Sequence, residues 1–350
     1  MHKGYFHRVT AQTPTRFWIN NVTREQADLA LEAGAVGCTQ NPSYPYKMLM
    51  HETEKQYAYG MLDAVMREHK NKEPDEIQEI FQRELVREIA NRFLPLYKKT
   101  QGRQGFVSIQ GNPLKEDLDT ILRGARFNRE AGENIMAKVP ATKEGIEAIE
   151  ILMEERIPIN ATEVMSSRQV LDICDVYERA ASRMKHPPVV YFSHITGILD
   201  QYLKAYVTEQ EIQVSEDALW QAGIICARKA HRLVKERDIP VGFIGGGARG
   251  LHHFTEMVGA DCCITINWAG TADKLIELNQ PVIDRFHGSV PETVLDGLLE
   301  RIDEFRRAWY CNGVKPDEYE EFGPVVLFRD SFVSAWTQAN QLISSRKETI

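Results

Sequence analysis

Asn134-Ile-Met-Ala-Lys-Val-Pro-Ala-Thr142 is the stretch on which the reading of the chain turns. It is a short apolar run with one lysine, Lys138, inside it, then a proline and a Thr-Lys-Glu-Gly turn that opens an amphipathic helix. That pattern predicts a buried strand feeding a helix. An ammonium in such low-dielectric surroundings is disfavoured, so the Lys138 pKa is expected to fall from the usual ~10.4. The neutral amine is a nucleophile that can attack a ketone or aldehyde carbonyl and form a Schiff base. The plainer alternative is a lysine whose stem packs while its head reaches water. The surrounding stretches decide between the two.

Working outward, residues 17–21 form a β-rich run, and Thr23 followed by Arg-Glu-Gln26 is a capping-box start for a helix ended by Gly34. A second strand is expected at 35–41. Further strands are expected at 105–110, through Lys138, and at 157–163, 188–195, 240–246 and 262–268, with helices between them. Eight strands alternating with helices predict an α/β fold of the (β/α)8 barrel type. Residues 44–100 read instead as an inserted pair of long charged helices, and residues from about 290 to 350 as a C-terminal helical extension. The expectation is one barrel domain over 1–350. A doubly wound open sheet would place a glycine-rich phosphate turn after the first strand. Here Gly245-Gly-Gly-Ala-Arg-Gly250 follows the seventh, where barrels often hold an anion on backbone N–H groups.

With 350 residues, 43% hydrophobic and 26% charged, the chain can bury a large core, and its net charge of −8 argues against a general polyanion-binding surface. No nucleic-acid partner is expected. The N-terminus lacks the apolar run of a secretion signal and no stretch of about 18 apolar residues occurs, so a cytoplasmic protein without a membrane partner is expected. The six cysteines include no C-x-x-C pair and read as reduced thiols, Cys38 being the one worth testing for reactivity. His252 and His253 are a weak basis for a metal-dependent lyase, because adjacent helical histidines point in different directions and no carboxylate pair stands at metal spacing. No metal and no cofactor is expected.

Barrel chemistry collects at the C-terminal ends of strands on inward-facing positions. Those positions are Asn20, Thr39 with Asn41, Ser108 with Gln110, Lys138, Asn160 with Thr162, and His194, with Arg249 just beyond strand seven. Nearly all are polar, an unusual ring around one lysine.

Four blocks carry a resemblance: Trp18-Ile-Asn-Asn-Val-Thr-Arg24, Gly37-Cys-Thr-Gln-Asn-Pro-Ser43, Ile135 to Thr142 with Glu144-Gly145, and Ile159-Asn-Ala-Thr162. With the glycine-arginine segment they resemble the transaldolase family of Schiff-base aldolases, in family order over most of the barrel. The resemblance implies Lys138 as the Schiff-base lysine, Asn41 and Asn160 as amides that bind substrate hydroxyls, and Thr162 as a holder of the catalytic water. It also implies Thr39 beside the sugar, Arg249 at a phosphate, and a place in the carbohydrate metabolism of the pentose phosphate pathway. Three departures stand out. Asn20 replaces the family's aspartate acid/base, Gln110 replaces the glutamate that works with the water, and Gly197 stands where a second phosphate arginine is expected. An amide cannot take a proton at neutral pH. His194 is the expected replacement proton shuttle, ranked above Glu163, which strand alternation points away from Lys138.

The leading expectation is a transaldolase-like enzyme that makes or breaks a C–C bond of a ketose through Lys138, by transfer or by aldol cleavage, on a non-standard substrate. The alternative is a regulatory sugar-binding barrel that has lost the chemistry. The expected partner is a small sugar or sugar-derived molecule, and the residues leave a homo-oligomer open.

Overall fold

A computed structural model describes residues 4–348. Eight parallel strands close on themselves in sequence order: β1 (Arg16–Asn20), β2 (Gly37–Gln40), β3 (Phe106–Gln110), β4 (Ile135–Pro140), β5 (Ile159–Val164), β6 (Val190–His194), β7 (Val241–Gly245) and β8 (Cys263–Ile266). Each is followed by helical structure packed on its outer face, so the fold is the expected (β/α)8 barrel.

Alternation divides each strand between two cores. Outward residues such as Ile19, Val107, Ala137, Ile159, Phe192 and Ile264 join the large core beneath the helices. Inward residues fill the barrel bottom with a separate cluster of Trp18, Val36, Phe106, Met136, Ile244 and Cys263, with Tyr191 packed on it. Two glycines make room there. A Cβ at Gly37 would lie 2.3 Å from the Trp18 ring, and one at Gly242 would lie 2.3 Å from the Tyr191 ring. The two aromatics meet at 5.5 Å and close the floor, which leaves the upper half of the barrel for polar groups.

Between β2 and β3 stand the two expected long helices, Lys55–Glu68 and Pro74–Lys99, preceded by a shorter one, Tyr44–Met50. The capping box at Thr23 is present, its side chain accepting from Gln26 N while Gln26 caps back. After β8 come helices Glu292–Arg301, Asp303–Trp309 and Gly323–Lys347. The last carries Pro324 in its first turn, where a missing N–H costs nothing. It is held by Trp336, whose Nε1 donates to Asp75 Oδ1 at 2.7 Å and whose carbonyl accepts from Gln78 Nε2 at 3.1 Å. Asp75 and Gln78 belong to the inserted helix Pro74–Lys99, so the insertion and the extension brace one another above the barrel.

Candidate active site

Lys138 lies near the C-terminal end of β4 in register with Gln110 on β3 and Asn160 on β5. It is 7% exposed, and among the described residues its Nζ makes no hydrogen bond to protein. Burial pulls its pKa down from 10.5 to about 8, against an opposing pull from the Glu163 carboxylate. Its amine opens into a cavity of about 290 Å³ at the top of the barrel. The C-terminal helix roofs this cavity with Phe328, Ser331 and Phe332, and the Phe332 ring centre stands 5.7 Å from Nζ. Among the described residues no carboxylate lines the cavity, and its charged groups are Lys138, Lys47 and Arg249.

Two hydrogen-bonded arcs flank the lysine. On one side Thr39 Oγ1 donates to Asn20 Oδ1 at 2.8 Å and meets Thr265 Oγ1 at 2.8 Å, while Asn20 Nδ2 donates to Asn267 Oδ1 at 3.0 Å. On the other, Asn160 Nδ2 donates to Ser108 Oγ at 3.2 Å and Ser193 Oγ donates to Asn160 Oδ1 at 2.8 Å. Asn41 accepts through Oδ1 from Asn21 and Ser43, which fixes its orientation beside the cavity. The arcs hold amides and hydroxyls in single orientations, as suits neutral groups that bind hydroxyls.

The structure therefore brings Asn20, Thr39, Asn41, Ser108, Gln110, Lys138 and Asn160 together, with Arg249 at the rim. Arg249 is partly committed: Nε donates to Gln201 Oε1 at 2.7 Å, and Nη1 reaches the Gly247 and Ala248 carbonyls. Gly197 is closed to any side chain, since a Cβ there would lie 2.2 Å from the Gly247 carbonyl oxygen.

His194 is set apart from this group. In β6 the inward positions are Tyr191 and Ser193; His194 turns outward, its ring stacked on Phe243 at 6.3 Å and its Nδ1 paired with the Thr196 hydroxyl at 3.0 Å. Burial depresses its pKa to about 4, so the ring stays neutral. The expected proton shuttle is not in the cavity.

Glu163 is where alternation says it should not be. Between Ala161 and Val164, β5 advances three residues while β6 advances two, from Phe192 to His194. The extra residue is a bulge. Glu163 adopts φ 63, a left-handed backbone that is strained for a non-glycine residue. Thr162 and Glu163 thus share the slot that faces Ser193 on the neighbouring strand. Glu163 is fully buried and accepts from Gln110 Nε2 at 2.8 Å. Its Oε2 has no partner among the described residues, nor do Gln110 Oε1 and the Thr162 hydroxyl. Burial raises the Glu163 pKa, opposed by the Gln110 bond and by Lys138.

Lys47, on helix Tyr44–Met50, escaped the sequence reading altogether. It lines the cavity and donates to the Asn21 carbonyl, and burial lowers its pKa. Only its place three residues into a helix after Asn-Pro-Ser could have signalled it.

Cys38 faces the outer core, and burial pushes its thiol well up, away from reactive thiolate. His252 and His253 converge more than adjacency predicts, with rings 3.9 Å apart and both near Asp200. His253 Nδ1 accepts from the Arg249 and Gly250 N–H groups at 3.3 and 3.2 Å. Nδ1 also lies 3.3 Å from the Gly250 carbonyl oxygen, and Nε2 pairs with Asp200 Oδ2 at 2.8 Å. Through these bonds the trio pins the turn that carries Arg249.

Comparison with known proteins shows the family. Residues 17–310 match the family described as Transaldolase/Fructose-6-phosphate aldolase. The chain belongs to that family. Curated relatives include transaldolases of Thiobacillus denitrificans, 26% identical over 67% of this chain and 68% of its own, and of Trichodesmium erythraeum, 27% identical over 58% of each. A Neisseria gonorrhoeae transaldolase is 29% identical over 54% of this chain and 57% of its own. The matches thus span between 57% and 68% of these relatives' lengths. Among solved structures, an aldo-keto reductase from a Medee basin deep-sea metagenome library overlaps at 11% identity with a TM-score of 0.31, over 83% of this chain and 91% of that one. That score is too low to inform the fold, which rests on the closed barrel. Among the described residues no helix is long and apolar enough to cross a membrane.

Proposed function

We propose that the chain is a transaldolase-like enzyme that breaks and remakes a C–C bond of a ketose through a Schiff base on Lys138. The observation that carries this is a desolvated amine, with a pKa near 8, opening into a carboxylate-free cavity ringed by oriented amides and hydroxyls. The neutral amine attacks the ketone, the carbinolamine loses water, and the resulting iminium draws electrons from the C–C bond beside the adjacent hydroxyl-bearing carbon. An aldehyde leaves and an enamine remains. The enamine adds to an acceptor aldehyde, which is transfer, or is protonated and released, which is cleavage. Asn41, Asn160 and Ser193 are placed to orient hydroxyls without adding charge beside the iminium.

The cavity chemistry supports a substrate other than one whose phosphate is gripped by two arginines. Arg249 is partly tied to Gln201, and position 197 admits no side chain. A polyol-ketone that is unphosphorylated, or that carries a different anion, fits these residues better. Exchange of an isotopically labelled aldehyde into a ketose, with phosphorylated and unphosphorylated ketoses compared, tests both parts. The expected result is exchange that is lost in Lys138→Met and that shows no preference for the phosphate. Undiminished exchange in Lys138→Met refutes the mechanism, and a strong phosphate preference refutes the substrate reading.

The reading of the chain as a binding barrel without chemistry rests on the amides Asn20 and Gln110. The buried Glu163 carboxylate bonded to Gln110 weighs against it, because an acid is still held at the site.

A further inference from the structure

Loss of water from a carbinolamine needs an acid at its hydroxyl, and the amides at positions 20 and 110 cannot supply one. A second, much smaller void of about 20 Å³ is also lined by Lys138, together with Gln110, Glu116 and Pro140 among others. That is room for one water molecule. Of the residues that line it, Gln110 Oε1 and Glu116 Oε2 are buried without a partner among the described residues, as are Thr162 Oγ1 and Glu163 Oε2 at the β5 bulge, which the Gln110–Glu163 hydrogen bond ties to the void. Native proteins rarely leave even one such atom unpaired, because its lost hydration goes uncompensated. A single ordered water takes up two to four such partners.

On the reading that Lys138 forms a Schiff base, we propose that Glu163, joined through Gln110 to the one-water chamber that Glu116 and Lys138 line, forms with Glu116 the acid–base pair that removes and returns water at the Lys138 adduct. The geometry sets the roles. Glu163 is held by the strained bulge and by its bond from Gln110, so one oxygen is fixed and the other is free. Glu116 comes from the loop between β3 and its following helix and lines the void together with Gln110 and Lys138. Burial and the charge of Glu163 push the Glu116 pKa up, which favours the protonated form. The other charged groups facing the pair are Lys138, Arg329 from the C-terminal helix, Glu320 from the turn before it, and Lys115 at the rim of the void.

In dehydration, the protonated member gives its proton to the carbinolamine hydroxyl. The C–O bond breaks with its electrons leaving on water, and the nitrogen lone pair forms the C=N bond. In hydrolysis the carboxylate takes a proton from the water that attacks the iminium carbon, and the pair returns to its starting state. Over both steps no proton is gained or lost. Glu163 would then do the work that position 110 cannot, from the other end of the same hydrogen bond.

The test is the rate at which borohydride captures the dihydroxyacetone imine on Lys138 in the full chain, followed by intact mass. Glu163→Gln should slow capture by about 10²–10⁴-fold. Adding Gln110→Glu to Glu163→Gln places a carboxylate at the opposite end of the bond, and should restore the rate to within about tenfold of wild type; a purely structural role for Glu163 predicts no such rescue. Glu116→Gln, on a half-buried residue, is the second probe and should slow capture at least tenfold and flatten its pH profile. Capture by Glu163→Gln within threefold of wild type, an unchanged rate in Glu116→Gln, or a folded double variant as slow as the single one would each overturn the proposal. Absence of any wild-type adduct on Lys138 would instead overturn the Schiff-base reading on which it rests.

Discussion

Replacing Lys138 by Met should make the protein more stable while removing its chemistry. The folded pKa of Lys138 is about 8 and its ordinary value is 10.5, so at pH 7 the unfolded chain holds this proton far more tightly than the native one. At 1.36 kcal/mol per unit, the gap corresponds to a cost of roughly 3 kcal/mol for keeping the ammonium in its buried place. Methionine is close in volume, needs no hydration and packs against Phe332, so it removes that cost without leaving a cavity. The expected gain at pH 7 is about 1–3 kcal/mol, the upper end assuming no relaxation around the ammonium. The sign with pH follows from linkage. Below pH 8 the cost is fully present; between about pH 8 and 10.5 the native lysine has lost its proton while the unfolded one still holds it, and the cost shrinks with rising pH until it is gone near 10.5. Wild type should therefore gain on Lys138→Met as pH rises through this window. Urea unfolding midpoints at pH 7 and pH 10 read the difference. A Lys138→Met variant less stable than wild type at pH 7, or a stability gap equal at both pH values, refutes the account of a desolvated lysine.

Three other outcomes follow from the same geometry. His194→Gln should leave turnover within about threefold of wild type, because the ring is packed outside the barrel, and should lower the unfolding midpoint through loss of the Thr196 contact, worth ~1 kcal/mol; a collapse of kcat in folded protein would contradict this. Lys47→Met should raise KM for an anionic ketose by about tenfold with kcat little changed, the size of one charge-assisted hydrogen bond, and steady-state kinetics on charged and neutral ketoses would separate this from an effect on chemistry. Phe332→Ala should let water reach Lys138, raise its pKa toward 10.5, and move the rise of activity to higher pH; an unchanged pH profile would show that the roof does not set the lysine's hydration.

The barrel was legible because its strands are short apolar runs at regular intervals, and the lysine because one charge interrupts an apolar strand. The inward set on β1 to β4 also followed from counting by two. It failed at β6 because Val190-Tyr-Phe-Ser-His194 alternates plausibly in either phase: Tyr191 with Ser193, or Phe192 with His194. The phase is fixed by the neighbours, where Gly242 leaves space under the Tyr191 ring and Phe243 offers a face to His194. Glu163 was misplaced for a related reason. A bulge adds one residue to the count, and nothing in Asn160-Ala-Thr-Glu-Val164 announces it, since its cause is the register against β6. The roof over Lys138 comes from a helix far along the chain, and no local pattern reveals where such a helix docks.

The most direct test of the central claim is borohydride reduction in the presence of dihydroxyacetone across pH 6 to 10.5, with peptide mass mapping. The account predicts a single adduct on Lys138 whose rate of formation rises to a plateau near pH 8. An adduct on another lysine, or a rate still climbing through pH 10 as for an ordinary exposed amine, would contradict it.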